Sequence, residues 1–228
     1  MERMTPNLRT PRMHAAGTGA LLMDVAEGAF DLETQKHLWS LGRRGGALEQ
    51  LDGVTNVVLG VNNVLVLFDP LRVHPRELGE ALRQAWGAST PSSESGRRFD
   101  VPVVYDRSAG SELEGIARHT KLSVGEVIAL HTAQDLRVAC IGSVPGFAYL
   151  VGLPPRLAMP RHATPRARVP KGSVIIGGSQ AGITPVDMPS GWHTLGSTRI
   201  EMFDVARAEP SLMAPGDTVR FIDAEGRR

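Results

Sequence analysis

Hydrophobic and polar positions change rhythm part-way along the chain. Between residues 18 and 88 short β-rich runs alternate with helical stripes. Ala20 to Val25 reads as an apolar strand, and a helix from Leu32 to Arg44 carries Leu38, Trp39 and Leu41 on its apolar side. Val57–Leu59 and Val64–Phe68 are two further β-rich runs, with Gly60 and Asn62-Asn63 supplying the turn between them. His74-Pro75 opens a second helix, because a proline at the first helical position loses no needed N–H. Leu78, Ala81, Leu82, Ala85 and Trp86 form one stripe on it, and Gly87 stops it. The order βαββα predicts a ferredoxin-like α/β sandwich, with room for a completing strand from further along the chain.

Residues 89–98 are polar and show no apolar periodicity, so they read as a linker between domains. An extended run from Phe99 to Tyr105 comes next. Two capping boxes, Ser111-x-x-Glu114 and Ser123-x-x-Glu126, announce helices ending near His119 and Leu130. Leu136–Ile141 is the next strand. After it only short strands are predicted, among them Ser173–Ile176, Arg199–Phe203 and Thr218–Phe221. Many short strands between turn residues, with two helices, predict a closed or nearly closed β-barrel over 99–228. The expected class is therefore α+β, a small sandwich followed by a barrel, preceded by a flexible tail at 1–17.

Composition narrows the function classes. Among 228 residues, 25 basic side chains against 24 acidic ones give a net charge of +1, so no global field favours nucleic acid or an anionic membrane. No apolar run is long enough to span a bilayer. A single cysteine, Cys140, precludes an internal disulfide and suits a reducing cytoplasm. Nine of the 25 glycines and eight of the 16 prolines crowd into residues 142–196, which predicts turns there.

Candidate chemistry lies in that segment. Pro145-Gly146 makes a tight turn, with Phe147 and Tyr149 expected on alternate sides of the chain leaving it; the plain alternative is a hairpin feeding aromatics to the core. The stretch Pro160–Ser173 places Arg161, Arg166, Arg168 and Lys171 among three prolines. Stiffness lowers the entropy lost on binding, and arginine forks match carboxylate or phosphate. A solvated basic loop is the plain alternative. Gly177–Pro185 is rich in glycine, which lets a backbone approach a ligand, and Gln180 offers an amide. The order required of a phosphate-binding P-loop is absent. Trp192 either shapes a pocket or fills a core.

These motifs closely resemble the family of 5-oxoprolinase B subunits, also known as allophanate hydrolase subunit 1, which includes the sporulation kinase inhibitor KipI. The resemblance is carried by Pro145-Gly146-Phe147-x-Tyr149-Leu150, by Pro160-Arg161 through Pro165-Arg166 and Val169-Pro170 to Gly172-Ser173, and by Gly178, Gln180, Gly182, Ile183 and Pro185. The ending Ala214-Pro215-Gly216-Asp217-x-Val219-Arg220-Phe221 extends it. It departs at Thr184, where the family usually has tyrosine, at Ser190, and at Val61-Asn62-Asn63. The resemblance implies a cyclophilin-like C-terminal domain of carboxyltransferase type. It also implies a cytoplasmic hetero-oligomer that opens 5-oxoproline to glutamate with ATP and Mg at the level of the complex. The implied partners are the C and A subunits of that complex, with the site shared between chains. Substrate contacts then fall to Phe147, Arg161, Arg166, Lys171, Gln180, Pro185 and Trp192. Two other readings stay open, a KipI-like regulator of a histidine kinase and a carboxyltransferase-like subunit of a urea carboxylase or allophanate system.

The chain lacks a complete hydrolytic apparatus of its own. Gly142-Ser143-Val144-Pro145 breaks the nucleophile-elbow pattern, and Ser92-Ser93 lies in the linker without an amidase lysine. Cys140 sits in an apolar strand and reads as an inert small hydrophobe. His119, His131, His162 and His193 are not at zinc-ligand spacing, so no metal site is expected. His119 reads as a helix-end cap, and His131 is the candidate catalytic base.

Overall fold

The structure, a computed structural model, describes residues 8–28, 30–93, 96–105 and 111–226. Two units emerge, 1–94 and 95–228, dividing inside the polar segment at 89–98.

The first unit runs β1 (Arg12–Ala15), β2 (Ala20–Asp24), α1 (Leu32–Gly42), β3 (Val54–Leu59), β4 (Asn63–Phe68) and α2 (Pro75–Gly87). Its sheet is antiparallel throughout, in the order β1-β2-β4-β3. Alternation in β4 buries Val64, Val66 and Phe68, which pack with Met23, Leu38, Leu41, Leu78, Leu82 and Trp86. The period of two delivers one strand face to the helices. Strand β1 lies within the segment expected to be a flexible tail, and it, rather than a later strand, occupies the edge beside β2. It escaped sequence reading because Arg-Met-His-Ala is largely exposed and held by backbone pairing, with Arg12 bonded to Asp24 at 2.7 Å.

A polar network ties the start of α1 to the β3–β4 turn. Asn62 takes a left-handed φ of 53°, which asparagine tolerates. Its carboxamide accepts from the Asp31 N–H at 3.0 Å and donates to the Asp31 carbonyl at 2.9 Å. Its own N–H donates to Gln35 Oε1 at 2.6 Å, and Gln35 Nε2 donates to the Gly60 carbonyl at 3.0 Å.

The second unit contains β5 (Arg98–Val103), α3 (Leu113–Thr120), α4 (Val124–Thr132), β6 (Leu136–Ile141), β7 (Ala148–Val151), β8 (Arg166–Val169), β9 (Ser173–Gly177), β10 (Gln180–Ile183), β11 (Met188–Ser190), β12 (His193–Ser197) and β13 (Thr218–Asp223). Seven of these strands form one sheet in the order β12-β9-β10-β7-β6-β13-β5, and β11 pairs with β8 beside it. Just beyond β5, the Val104 N–H donates to Ser197 at 2.8 Å and its carbonyl receives the return bond at 3.0 Å, joining the two outer strands into a nearly closed barrel. Gly196 permits this seam, since a Cβ there would strike the Val104 carbonyl. The pairing of β13 with β5 is parallel, whereas β6 lies antiparallel on its other side.

Inside the barrel Val101, Val103, Leu150, Ile176, Leu195 and Phe221 pack with Ile116 of α3 and Val127 of α4. The capping box at Ser123 forms in full. The one expected at Ser111 does not, because α3 starts at Leu113 and Glu112 occupies the cap position. Ser111 Oγ receives only the Leu113 N–H, at 3.3 Å. The run Arg199–Phe203 is not a strand; it contributes a single bridge from Phe203 to Ser211. No helix among the described residues is long and apolar enough to cross a membrane.

Candidate functional site

A dense polar cluster of the barrel unit gathers around Glu112. The main chain of Glu112 donates to the Thr194 carbonyl at 2.7 Å, and the Thr194 N–H returns a bond to Glu112 Oε2 at 2.8 Å. The start of α3 is thereby fastened to β12. Arg166, the first residue of β8, approaches the same Oε2 at 3.1 Å and donates to the Trp192 carbonyl and the Thr194 hydroxyl, both at 2.8 Å. On the other carboxylate oxygen, Oε1, two imidazoles converge. His162 Nε2 lies 2.6 Å away and His193 Nδ1 3.6 Å away. The two rings are stacked obliquely, 3.9 Å apart. The 2.6 Å approach of His162 is not aligned as a hydrogen bond, so its buried Nε2 has no directed partner, and neither does the buried Arg166 Nε.

Backbone contacts set both rings. The His162 N–H donates to the Gly191 carbonyl at 2.8 Å, and His193 Nε2 faces the Pro160 carbonyl at 3.0 Å. A carbonyl only accepts, so His193 Nε2 carries the hydrogen and the Nδ1 of its neutral form presents a lone pair toward Glu112. Burial holds the His193 pKa below its ordinary value, opposed by the Pro160 carbonyl and Glu112 and reinforced by His162 and Arg166.

Two cavities meet at Arg161 and His162. The larger, about 650 Å³, is bounded by Glu112, His193, Arg118 and His119 as well. The smaller, about 240 Å³, has Phe147, Tyr149 and Trp192 in its wall. These three rings contact one another edge to face at centroid distances of 4.9, 5.8 and 5.9 Å. Phe147 and Tyr149 thus share one side rather than alternating, as residues i and i+2 of an extended chain must.

The sequence matches the family described as carboxyltransferase domain, subdomain C and D, over residues 11–213. It is 36% identical over 215 residues to the B subunit of 5-oxoprolinase from Escherichia coli O157:H7, covering 94% of this chain and 97% of that protein. The chain belongs to the family of 5-oxoprolinase B subunits. Among solved structures, TTHA0988 superposes on 91% of this chain with a TM-score of 0.76 and 33% identity, and this chain spans 41% of TTHA0988. The urea amidolyase of K. lactis superposes on 97% with a TM-score of 0.83 at 20% identity, this chain covering 15% of it; that likeness speaks to fold alone.

The residues expected to contact substrate fall in different places. Phe147, Arg161 and Trp192 line the smaller cavity, and Arg161 borders both. Arg161 is exposed and makes no ion pair with the described residues. Arg166 is brought to the same place, but as a support: its fork is occupied by Glu112, Trp192 and Thr194 rather than offered to a ligand. Lys171 lines neither cavity and pairs with Glu201 at 2.7 Å. Gln180 opens β10, Pro185 lies two residues beyond its end, and they also line neither. Two of the three glycines of that segment, Gly177 and Gly182, serve packing, whereas Gly178 has open space around it and a left-handed φ of 59°. A Cβ on Gly177 would lie 2.5 Å from the Trp192 ring, and one on Gly182 would lie 2.7 Å from Phe147.

His131 does not face a cleft. It is 1% exposed, bonded through Nδ1 to the Tyr105 hydroxyl at 2.7 Å and stacked 4.3 Å from Phe221. Burial pushes its pKa down to about 3, which leaves it neutral and shut inside the barrel core. Burial likewise pushes the Cys140 thiol up to about 12, in keeping with an inert residue. Thr184, at the family's usual tyrosine position, is fully buried and receives the Ser173 N–H at 2.9 Å while donating to the Pro170 carbonyl at 2.6 Å. Sequence reasoning missed Glu112 and set aside His162 and His193 on spacing. Spacing rules find ligands from one local segment, and these three side chains come from a helix cap, a loop and a strand start.

Proposed function

We propose that this chain serves as a non-autonomous subunit of an ATP-dependent 5-oxoprolinase-type complex, which opens the lactam of 5-oxoproline to glutamate. Its cavity at Arg161 forms one wall of a site shared with a partner of the C-subunit type, and the nucleotide is handled by the complex. The observation that carries this reading is the 36% identity to a B subunit of 5-oxoprolinase, extending along nearly its whole length. The chemistry of the barrel agrees with a shared site. A lactam hydrolase needs a nucleophile or activated water, a base and an oxyanion partner. Among the described residues the only cysteine is buried with a raised pKa, and the buried His131 is inaccessible. Cations do line the cavity, and the reading gives Arg161, whose planar fork suits a carboxylate, the acidic group of the lactam.

The test is co-expression with A and C subunits of the 5-oxoprolinase type, followed by an ATP-dependent 5-oxoproline assay. The complex turns over and this chain alone does not. In the complex, Arg161→Ala raises KM for 5-oxoproline about tenfold or more, the loss expected of a hydrogen bond to a charged group worth about 1.5–3 kcal/mol. A complex that is equally active without this chain, or an Arg161→Ala complex with unchanged KM, would overturn the assignment.

A further inference from the structure

We propose that Glu112, His162 and His193 form a binding site for a divalent transition-metal ion of the zinc class, with an exchangeable position opening on the larger cavity. One ligand atom from each residue lies within 4.8 Å of the other two. Two imidazoles and one carboxylate are a donor set for zinc and its neighbours. Magnesium, by contrast, prefers an all-oxygen shell, so this site is distinct from any nucleotide-bound magnesium.

Three features of the geometry carry the inference. The first is the pairing of unlike needs at Glu112 Oε1. With its hydrogen on Nε2 against Pro160, neutral His193 turns a lone pair toward an anionic oxygen 3.6 Å away. His162 adds a buried nitrogen with no aligned partner beside that same oxygen. A cation among the three atoms satisfies all of them at once. The second is the surrounding support. Metal-bound histidine normally donates its other ring N–H to a carbonyl or carboxylate, as His193 does to Pro160. The carboxylate is oriented too, since Arg166 and the Thr194 N–H hold Oε2 and leave Oε1 to the histidines.

The third is size. Metal–ligand bonds of about 2.0–2.2 Å in a tetrahedron put neighbouring ligand atoms about 3.4 Å apart. The His193 separation already fits, and the 2.6 Å contact of His162 opens by less than about 1 Å through side-chain rotation. Three protein ligands beside a cavity of about 650 Å³ describe an open site rather than a closed structural one. The positive charge of Arg166 on Oε2 keeps its affinity below that of a thiolate-rich centre.

The inference concerns binding and stands apart from the proposed reaction, so its test uses no turnover. The full-length protein is stripped with chelator, then titrated with zinc by calorimetry and with cobalt(II) by visible absorption. One ion per chain is expected, with cobalt bands of a four- or five-coordinate site. His162→Ala and His193→Ala each weaken binding at least about tenfold, since even outer-shell changes cost about 10–100-fold. His74→Ala, in the other unit, leaves binding unchanged. Circular dichroism of each variant verifies the fold, and His162→Gln provides a second, milder substitution. Absence of stoichiometric binding by the wild type would overturn the proposal. So would equal affinity in the folded His162 and His193 variants, which would mark the cluster as an internal ion-pair network.

Discussion

Two polar networks, one in each unit, join helix starts to neighbouring strands and differ in how completely they are bonded. In the N-terminal unit Asp31, Gln35 and Asn62 exchange directed bonds of 2.6–3.0 Å with one another and with the Gly60 carbonyl. Around Glu112 the groups are at least as crowded, yet His162 Nε2 and Arg166 Nε lack aligned partners and the cluster opens onto cavities. A satisfied network specifies a turn and needs nothing from outside. A network crowded but unsatisfied at a cavity wall is where an external group completes the bonding. His131 refines that lesson, because its Nε2 is also unpartnered although it sits against Phe221 in the core. Convergence of several groups on an accessible space, and not one orphan atom, distinguishes a site.

The largest effect is expected from the N-terminal network. Asn62→Ala removes a left-handed residue and the bonds to both Asp31 backbone groups, so it is expected to cost about 2 kcal/mol or more of unfolding free energy. Urea denaturation of the N-terminal transition measures this, and metal binding at Glu112 should not change. A stability loss under about 0.5 kcal/mol would show that bonding completeness does not mark a scaffold here.

Smaller per step is the effect of His131. In the unfolded chain its imidazole titrates near the ordinary 6.5, whereas in the barrel it stays neutral down to about 3. Between those values the unfolded state binds more protons, so stability is retained above pH 6.5 and falls as pH drops toward 3, by at most about 1.4 kcal/mol per pH unit from this group. His131→Phe should flatten that part of the stability–pH curve while leaving metal affinity intact. An unchanged slope would place His131 in contact with solvent. The smallest effect concerns Cys140. Native protein should resist thiol labelling near neutral pH and react only once unfolded, and rapid labelling of the folded chain would contradict its burial.

Most elements were legible in the sequence because their patterns are local. The α2 stripe and the Ser123 capping box needed no tertiary information. Pro75 at the head of α2 was equally plain. Strand β1 was not legible, since its four residues bury little and depend on an existing edge at β2. The aromatic wall of Phe147, Tyr149 and Trp192 was half visible: the residues were named, but their mutual contact forms where the starts of β7 and β12 come together over Gly177 and Gly182, on the face of the sheet turned away from the barrel interior. Arg166 illustrates the limit most clearly. A cationic, proline-stiffened loop looks the same in sequence whether its arginines face a ligand or brace a carboxylate, and only the position of Glu112 decides.

The place of β13 in the barrel has a consequence for synthesis. It is the last strand in chain order, yet it lies between β6 and β5, aligned in parallel with residues 98–103. Emerging from the ribosome, β5 must therefore wait for residues 218–223 before its ladder partner exists, on the order of ten seconds at about 5–20 residues per second, with only the Val104–Ser197 bridge available sooner. Throughout that interval the flank of β5 stays unmated and able to pair wrongly, so any slowing of translation late in the message prolongs its exposure to aggregation and to chaperones.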